Sequence, residues 1–246
     1  MNQVSADYQF LKQNGVNCLR ISYIEWNYPA SEQIALLAKQ DGFRVIIGGT
    51  FAGTPYGNVT PQNLSTYTSQ VLQEAAWAQA NQIDQLSLGN EAEYNLSGLT
   101  EPQWIAYLHG LSDQVHKVYA GVVSYETSSD FLNQWILGGR GSIDLLGWNS
   151  YCGGSCNAQR VQVAIAAFGV SHNFISEWNS SCGVITNCND LNAWAQDLTS
   201  ELSLLQPLNV PIYYFSYRYS TDDSSSPWSV QTTAGLRMPV AQALGL

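Results

Sequence analysis

Positive charge is scarce in this chain: Lys and Arg total 9 of 246 residues against 19 Asp and Glu, for a formal net charge of −10. A phosphate backbone would be repelled by such a surface, so nucleic acid is not an expected partner. Lysine occurs only at Lys12, Lys39 and Lys117, which leaves Asn, Gln, Ser and Thr to supply the polar surface. No apolar run approaches the roughly 18 residues that a membrane span needs, and no membrane partner is expected. Histidine is limited to His109, His116 and His172, none of which follows a strand-like run. That scarcity argues against a histidine-held metal and against a histidine-activated nucleophile. No G-x-G-x-x-G, Walker A or G-x-S-x-G pattern occurs, and GGTFAG at 48–53 is only a Gly-containing loop after a strand. Neither metal nor cofactor is expected.

What is present is a large apolar fraction, 45%, with only 11% charged residues, which excludes disorder as the main state. The length suits a single domain over 1–246. Among the five cysteines, Cys152 pairs by proximity with Cys156 and Cys182 with Cys188, and Cys18 sits alone in an apolar stretch. We expect two short-loop disulfides and one buried thiol, hence a secreted protein, the alternative being five reduced thiols in a cytosolic one. MNQVSADYQFLKQNG carries no basic n-region and no long apolar h-region, so export implies a leader already removed. Asn58, Asn63, Asn95 and Asn179 open N-x-Ser/Thr sequons, acceptors only in a eukaryotic secretory pathway.

Short apolar runs alternate with longer amphipathic ones. Strands are predicted at 17–23, 43–51, 83–91, 118–126, 143–151, 173–179 and 211–219, and helices at 4–13, 31–40, 61–80, 101–116, 128–137, 158–168 and 190–205. Thr60 before Pro61, and Thr100 before Glu101 and Pro102, are the predicted helix caps. Alternation of this kind means a parallel sheet, either a (β/α)8 barrel of the TIM type or an open doubly wound sheet. Polar and aromatic residues gather at the C-terminal end of strand after strand, where a barrel would converge them, and this favours the barrel.

With histidine and cysteine chemistry set aside, carboxylates remain. Glu91 ends QLSLGNE and Glu177 ends FISE, each an ionisable group directly after an apolar parallel strand. A pair of carboxylates in that setting suits glycoside hydrolysis, in which one protonates the leaving oxygen and the other attacks or activates water. A separation of about 5 Å would mean retention and a wider gap inversion.

The same residues resemble a known group. GNEAEY at 89–94 and FISEWNS at 174–180 are similar to the strand-four and strand-seven signatures of clan A glycoside hydrolases, the retaining barrel enzymes of the four-seven superfamily. LKQNGVNCLRISY resembles the first helix and second strand, DLLGWNSY at 144–151 the sixth strand with its tyrosine, and PIYYFSYRYS with SPWSVQTTAGLRMPVAQAL the eighth strand and closing helix. The resemblance implies Glu91 as acid/base, Glu177 as nucleophile, and Asn90 on the sugar 2-hydroxyl. It also implies that Arg20 lies beneath Glu177 and, with Tyr151, holds it ionised. Trp148, Trp178 and Tyr217 are expected among the sugar-binding aromatics, with Trp26, Tyr94, Tyr219 and Trp228 as further candidates.

Three departures stand out. The chain opens into what resembles the first helix, so the first strand is expected to be missing or atypical. Phe215 or Tyr217 stands where the family has a strand-eight tryptophan, and Asn149 where many members carry histidine. Glu25, Glu93 and Glu126 are left as possible additional site carboxylates. The expected function is a retaining, endo-acting β-glycosidase with a carbohydrate partner, monomeric unless a partner chain completes the barrel. The alternatives are a sugar-binding barrel without turnover and a carboxylate–metal hydrolase.

Overall fold

The structure, a computed structural model, describes residues 2–22, 29–48, 58–179, 190–216, 230–232 and 235–246. The predicted alternation is present. In chain order the elements are α1 (Asn2–Gln13), β1 (Cys18–Ser22), α2 (Pro29–Gln40), β2 (Arg44–Gly48), α3 (Leu64–Ala80) and β3 (Gln85–Asn90). Then come a 3-10 turn (Ala92–Asn95), α4 (Glu101–Val115), β4 (Val122–Ser128), α5 (Leu132–Gly138), β5 (Leu145–Ser150), α6 (Gly154–Phe168) and β6 (Asn173–Trp178). The last are α7 (Leu191–Leu205), β7 (Ile212–Tyr214), the short strands β8 (Gln231–Thr232) and β9 (Gly235–Leu236), and α8 (Met238–Ala243). Strands β1 to β7 follow one another in the sheet in chain order, which is barrel topology rather than the reversed order of a doubly wound sheet. No described helix is long and apolar enough to cross a membrane.

The chain divides into two compact units, Met1–Leu146 and Gly147–Leu246. In the first, β1 pairs with β2, β2 with β3 and β3 with β4, all parallel. Val45, Ile46, Ile47, Leu86 and Leu88 are buried, as expected for strands covered on both faces. β4 differs, with Ser124 and Glu126 alternating with Val123 and Tyr125. The polar side chains of β3 and β4 satisfy one another: Gln85 Nε2 donates to Ser124 Oγ at 2.9 Å, Ser124 Oγ to Glu126 Oε1 at 2.9 Å, and Ser87 Oγ to Glu126 Oε2. In the second unit β6 pairs in parallel with β7, and α7 and α8 pack Trp194, Leu198, Leu205, Val240 and Ala241 into its core with Ile175 and Trp178.

Several boundaries differ from expectation for local reasons. α3 starts at Leu64, because Asn63 Oδ1 accepts from the Thr60 amide at 2.8 Å and closes a turn over the residues expected to open the helix. Thr100 does cap α4, in a capping box with Gln103. Ser128 ends β4 and accepts from the Asp130 amide, which splits the predicted 128–137 helix into a 3-10 turn and α5. β4 begins at Val122, four residues later than predicted at 118. His109 and His116 tie α4 to the segment before β5 through the carbonyls of Gly139 and Ser142, a structural role.

On α3 the buried stripe Tyr67, Val71, Glu74, Ala78 runs at helical spacing and contains a carboxyl group. Glu74 Oε1 has no hydrogen-bond partner, and burial pushes the carboxyl from 4.5 up to about 8. Between those values the folded chain holds a proton that the unfolded chain has released, so stability falls as pH rises from 4.5 to about 8. This loss should be on the order of 3–5 kcal/mol. Urea denaturation at pH 5 and pH 8 should show a shallower decline for Glu74→Gln than for the parent; equal slopes would refute the assignment.

Candidate active site

Glu91 follows β3 directly, and β3 is irregular at that end. The β3–β4 register passes from Ser87 opposite Ser124 to Asn90 opposite Glu126, three residues against two, as a bulge requires. Gly89 lies inside the slip, where a Cβ would collide with the Tyr67 hydroxyl and stand 3.1 Å from the Tyr125 ring. Glu91 itself is left-handed, φ 50° and ψ 32°, a conformation that costs a non-glycine residue about 1–2 kcal/mol. Its amide donates to the Glu126 carbonyl at 2.9 Å. Beside it, Arg20 Nη2 donates to Asn90 Oδ1 at 3.2 Å and lies 3.8 Å from Glu126 Oε2. Arg20, Asn90 and Glu91 are therefore neighbours, with the fully buried Glu126 as the counter-charge.

The turn that follows is anchored from below by Glu93. This carboxylate is 5% exposed and accepts from the Tyr125 hydroxyl at 2.6 Å, the Thr127 hydroxyl at 2.8 Å and the Trp135 indole N–H at 3.0 Å. Burial pushes its carboxyl up, against hydrogen bonds that favour the charged form. The Tyr125 oxygen in turn accepts from the Trp104 indole at 3.0 Å and the Ala92 amide at 3.2 Å. Glu93, one of the additional site carboxylates considered above, is thus a buried support.

In the second unit Glu177 is 7% exposed near the end of β6, and the Tyr151 hydroxyl donates to its Oε2 at 2.7 Å. The β6–β7 register also slips here, between Ile175 and Trp178. Behind the pair stands Glu201 on α7, 1% exposed, whose Oε2 accepts from the Trp178 indole at 2.9 Å and from Asn157 Nδ2 at 3.0 Å. Asn157 Oδ1 accepts from Ser150 Oγ at 2.8 Å and the Cys152 amide at 3.0 Å, so one carboxylate braces the residues on either side of Tyr151 and the residue after Glu177. Cys152 and Cys156 are bridged in the same loop. Glu201 was not anticipated, although its place in the stripe Trp194, Leu198, Glu201, Leu205 was a readable sign of burial.

Other expectations change. Trp148 and Trp178 are each 1% exposed. The Trp148 indole donates to Asn173 Oδ1 at 2.7 Å and its ring stacks on Phe168, while Trp178 meets Tyr214 edge-on. Both rings belong to the core and offer no open face to a sugar, because strand side chains alternate and these point away from the Tyr151 and Glu177 face. Asn179 is fully buried, donating to the Phe215 carbonyl at 2.7 Å and accepting from Trp194, so its sequon is not a glycan acceptor. Cys18 is half-buried rather than buried. Tyr217, Trp26, Tyr219, Trp228, Glu25, Cys182, Cys188 and all but the first residue of the 48–53 loop lie outside the described residues.

No protein-family model and no curated protein matches the sequence. Solved structures do match. A GH113 β-mannanase from Alicyclobacillus acidocaldarius aligns with TM-score 0.69 at 15% identity, covering 100% of this chain and 90% of that one. An endoglucanase from Thermotoga maritima aligns with TM-score 0.72 at 10% identity, covering 98% and 89%. A β-glucuronidase from Bifidobacterium dentium aligns with TM-score 0.66 at 11% identity, over 99% of this chain and 42% of its own. The chain has the TIM-barrel fold of these enzymes. That is the fold the clan A resemblance implies, here with α1 ahead of β1 and seven strands among the described residues of the main sheet.

Removing Glu201 would leave the Trp178 indole and the Asn157 amide buried without their acceptor. Glu201→Ala should lower stability by about 3 kcal/mol, and Glu201→Gln, which keeps one acceptor oxygen, by less. Urea unfolding midpoints of the two variants test this ordering.

Proposed function

We propose that this chain is a retaining glycoside hydrolase that cleaves β-linked polysaccharide or oligosaccharide internally, acting as one domain. The observation that carries the reading is the Tyr151–Glu177 hydrogen bond at the end of β6. A hydroxyl on one carboxylate oxygen fixes the orientation of the group, and an oriented carboxylate at a strand end can act as nucleophile. Glu177 attacks the anomeric carbon while Glu91 gives its proton to the departing oxygen. A water then loses a proton to Glu91 and displaces Glu177, and the sugar leaves with its original β configuration. Arg20 fixes the Asn90 carbonyl oxygen and so sets the orientation of the amide toward the sugar 2-hydroxyl.

The mannanase and endoglucanase names of the similar structures support β-mannans and β-glucans as the first substrates to try. A net charge of −10 favours a neutral polymer over an acidic one. The Cys152–Cys156 bridge supports a secreted protein.

Reducing-sugar release from β-mannan and β-glucan tests the proposal, with Glu177→Gln expected to lose on the order of 10⁴-fold in kcat. Proton NMR of the first product should show the β anomer. Saturable binding without release by the parent would instead mean a sugar-binding barrel, and an α product would exclude retention. A smaller loss, about 10- to 100-fold in kcat/KM, is expected for Tyr151→Phe, since a hydrogen bond to a charged group contributes about 1.5–3 kcal/mol.

A further inference from the structure

Tyr94 is the largest aromatic surface exposed among the described residues, at 55%, and it lies three positions after Glu91. Exposed side chains of this size ordinarily sample several rotamers, but this one is fixed at both ends. Its amide donates to the Glu91 carbonyl at 3.3 Å, and its hydroxyl is hydrogen-bonded to Ser128 Oγ at 2.9 Å and to Asp130 Oδ2 at 3.0 Å. The Phe131 ring supports it edge-on, with centroids 4.8 Å apart. Ser128 is itself held, accepting from the Asp130 amide. The result is an aromatic ring whose position is set before any ligand arrives, which is what lowers the entropic cost of stacking.

The place of this ring decides what it can stack on. A group that protonates the leaving oxygen must stand on the leaving-group side of the scissile bond. Tyr94 belongs to the same short turn as Glu91 and is bonded to it through the backbone. Trp148 and Trp178, two of the rings expected among the sugar-binding aromatics, are buried. We propose that Tyr94 is the stacking platform for the sugar ring that departs, a binding subsite on the leaving-group side for a β-linked pyranose. The proposal rests on the assignment of Glu91 as acid/base.

The test compares kcat/KM for mannohexaose and cellohexaose with kcat/KM for methanol release from methyl β-mannobioside and methyl β-cellobioside. Departing methanol needs the same proton from Glu91 but has no ring to stack, so a disturbed Glu91 affects both substrates alike. Tyr94→Ala should lower the hexaose-to-methyl-glycoside ratio at least tenfold, and Tyr94→Phe, which keeps the ring, should hold it within threefold. An unchanged ratio for Tyr94→Ala overturns the platform, and loss of turnover in Glu177→Gln then leaves the glycosidase reading standing. Hexaose binding is also measured by calorimetry on Glu177→Gln with and without Tyr94→Ala. With a parent that releases sugar, a Kd at least tenfold weaker in the double variant supports the platform; a parent that releases none refutes the glycosidase reading and overturns the leaving-group subsite with it. Equal Kd values, or no binding, overturn it.

Discussion

Burying a carboxylate without donors costs several kcal/mol, and with donors it locks whatever supplies them. Each compact unit uses this constraint to brace a turn beside an ionisable strand end. Glu93 gathers a tyrosine, a threonine and an indole from β4 and α5, and so fixes the 3-10 turn that begins beside Glu91. Glu201 gathers an indole from β6 and an amide from α6, and so fixes the backbone around Tyr151 and the residue after Glu177. Neither is placed to touch a substrate. Each converts a strand end, which by itself would fray, into a rigid support for an ionisable group.

The strand ends also share an irregularity. Parallel strands in regular register present side chains in strict alternation, and a slip of one residue re-aims everything beyond it. The β3–β4 slip lies just before Glu91 and the β6–β7 slip spans Glu177. At β3 the cost is visible in a left-handed Glu91 and in a Gly89 that no larger residue could replace without moving Tyr67 or Tyr125. Strain held by buried partners at a place rich in ionisable groups is a recurring property of reactive sites.

Charge is used sparingly. Arg20, 7% exposed in its side chain, is matched by Glu126, which has no exposed side-chain surface, and hydroxyl and amide side chains join Glu126 and Glu93 in the hydrogen-bond network of β3 and β4. Tyr94 adds the complementary apolar face, already pinned by Ser128, Asp130 and Phe131.

The sequence by itself determined the order of strands and helices, because apolar runs of strand length and helical stripes are local patterns. It also placed Glu91 and Glu177 at strand ends, and the Thr100 cap, for the same reason. Boundaries set by side-chain-to-backbone bonds, such as the Asn63 turn before α3 and the Ser128 turn after β4, were not legible, since either residue could equally continue the element. Only tertiary structure decided which aromatics are core and which are surface: Trp148, Trp178 and Tyr94 all follow or end apolar runs, and only Tyr94 keeps an exposed ring. It alone decided the partners of Glu93, Glu126 and Glu201. The partners of Glu93 and Glu201 lie 23 to 44 positions away, and Glu126 is met by Ser87 from β3 and Arg20 from β1 as well as by Ser124 in its own strand; no local pattern encodes contacts that depend on how the layers pack.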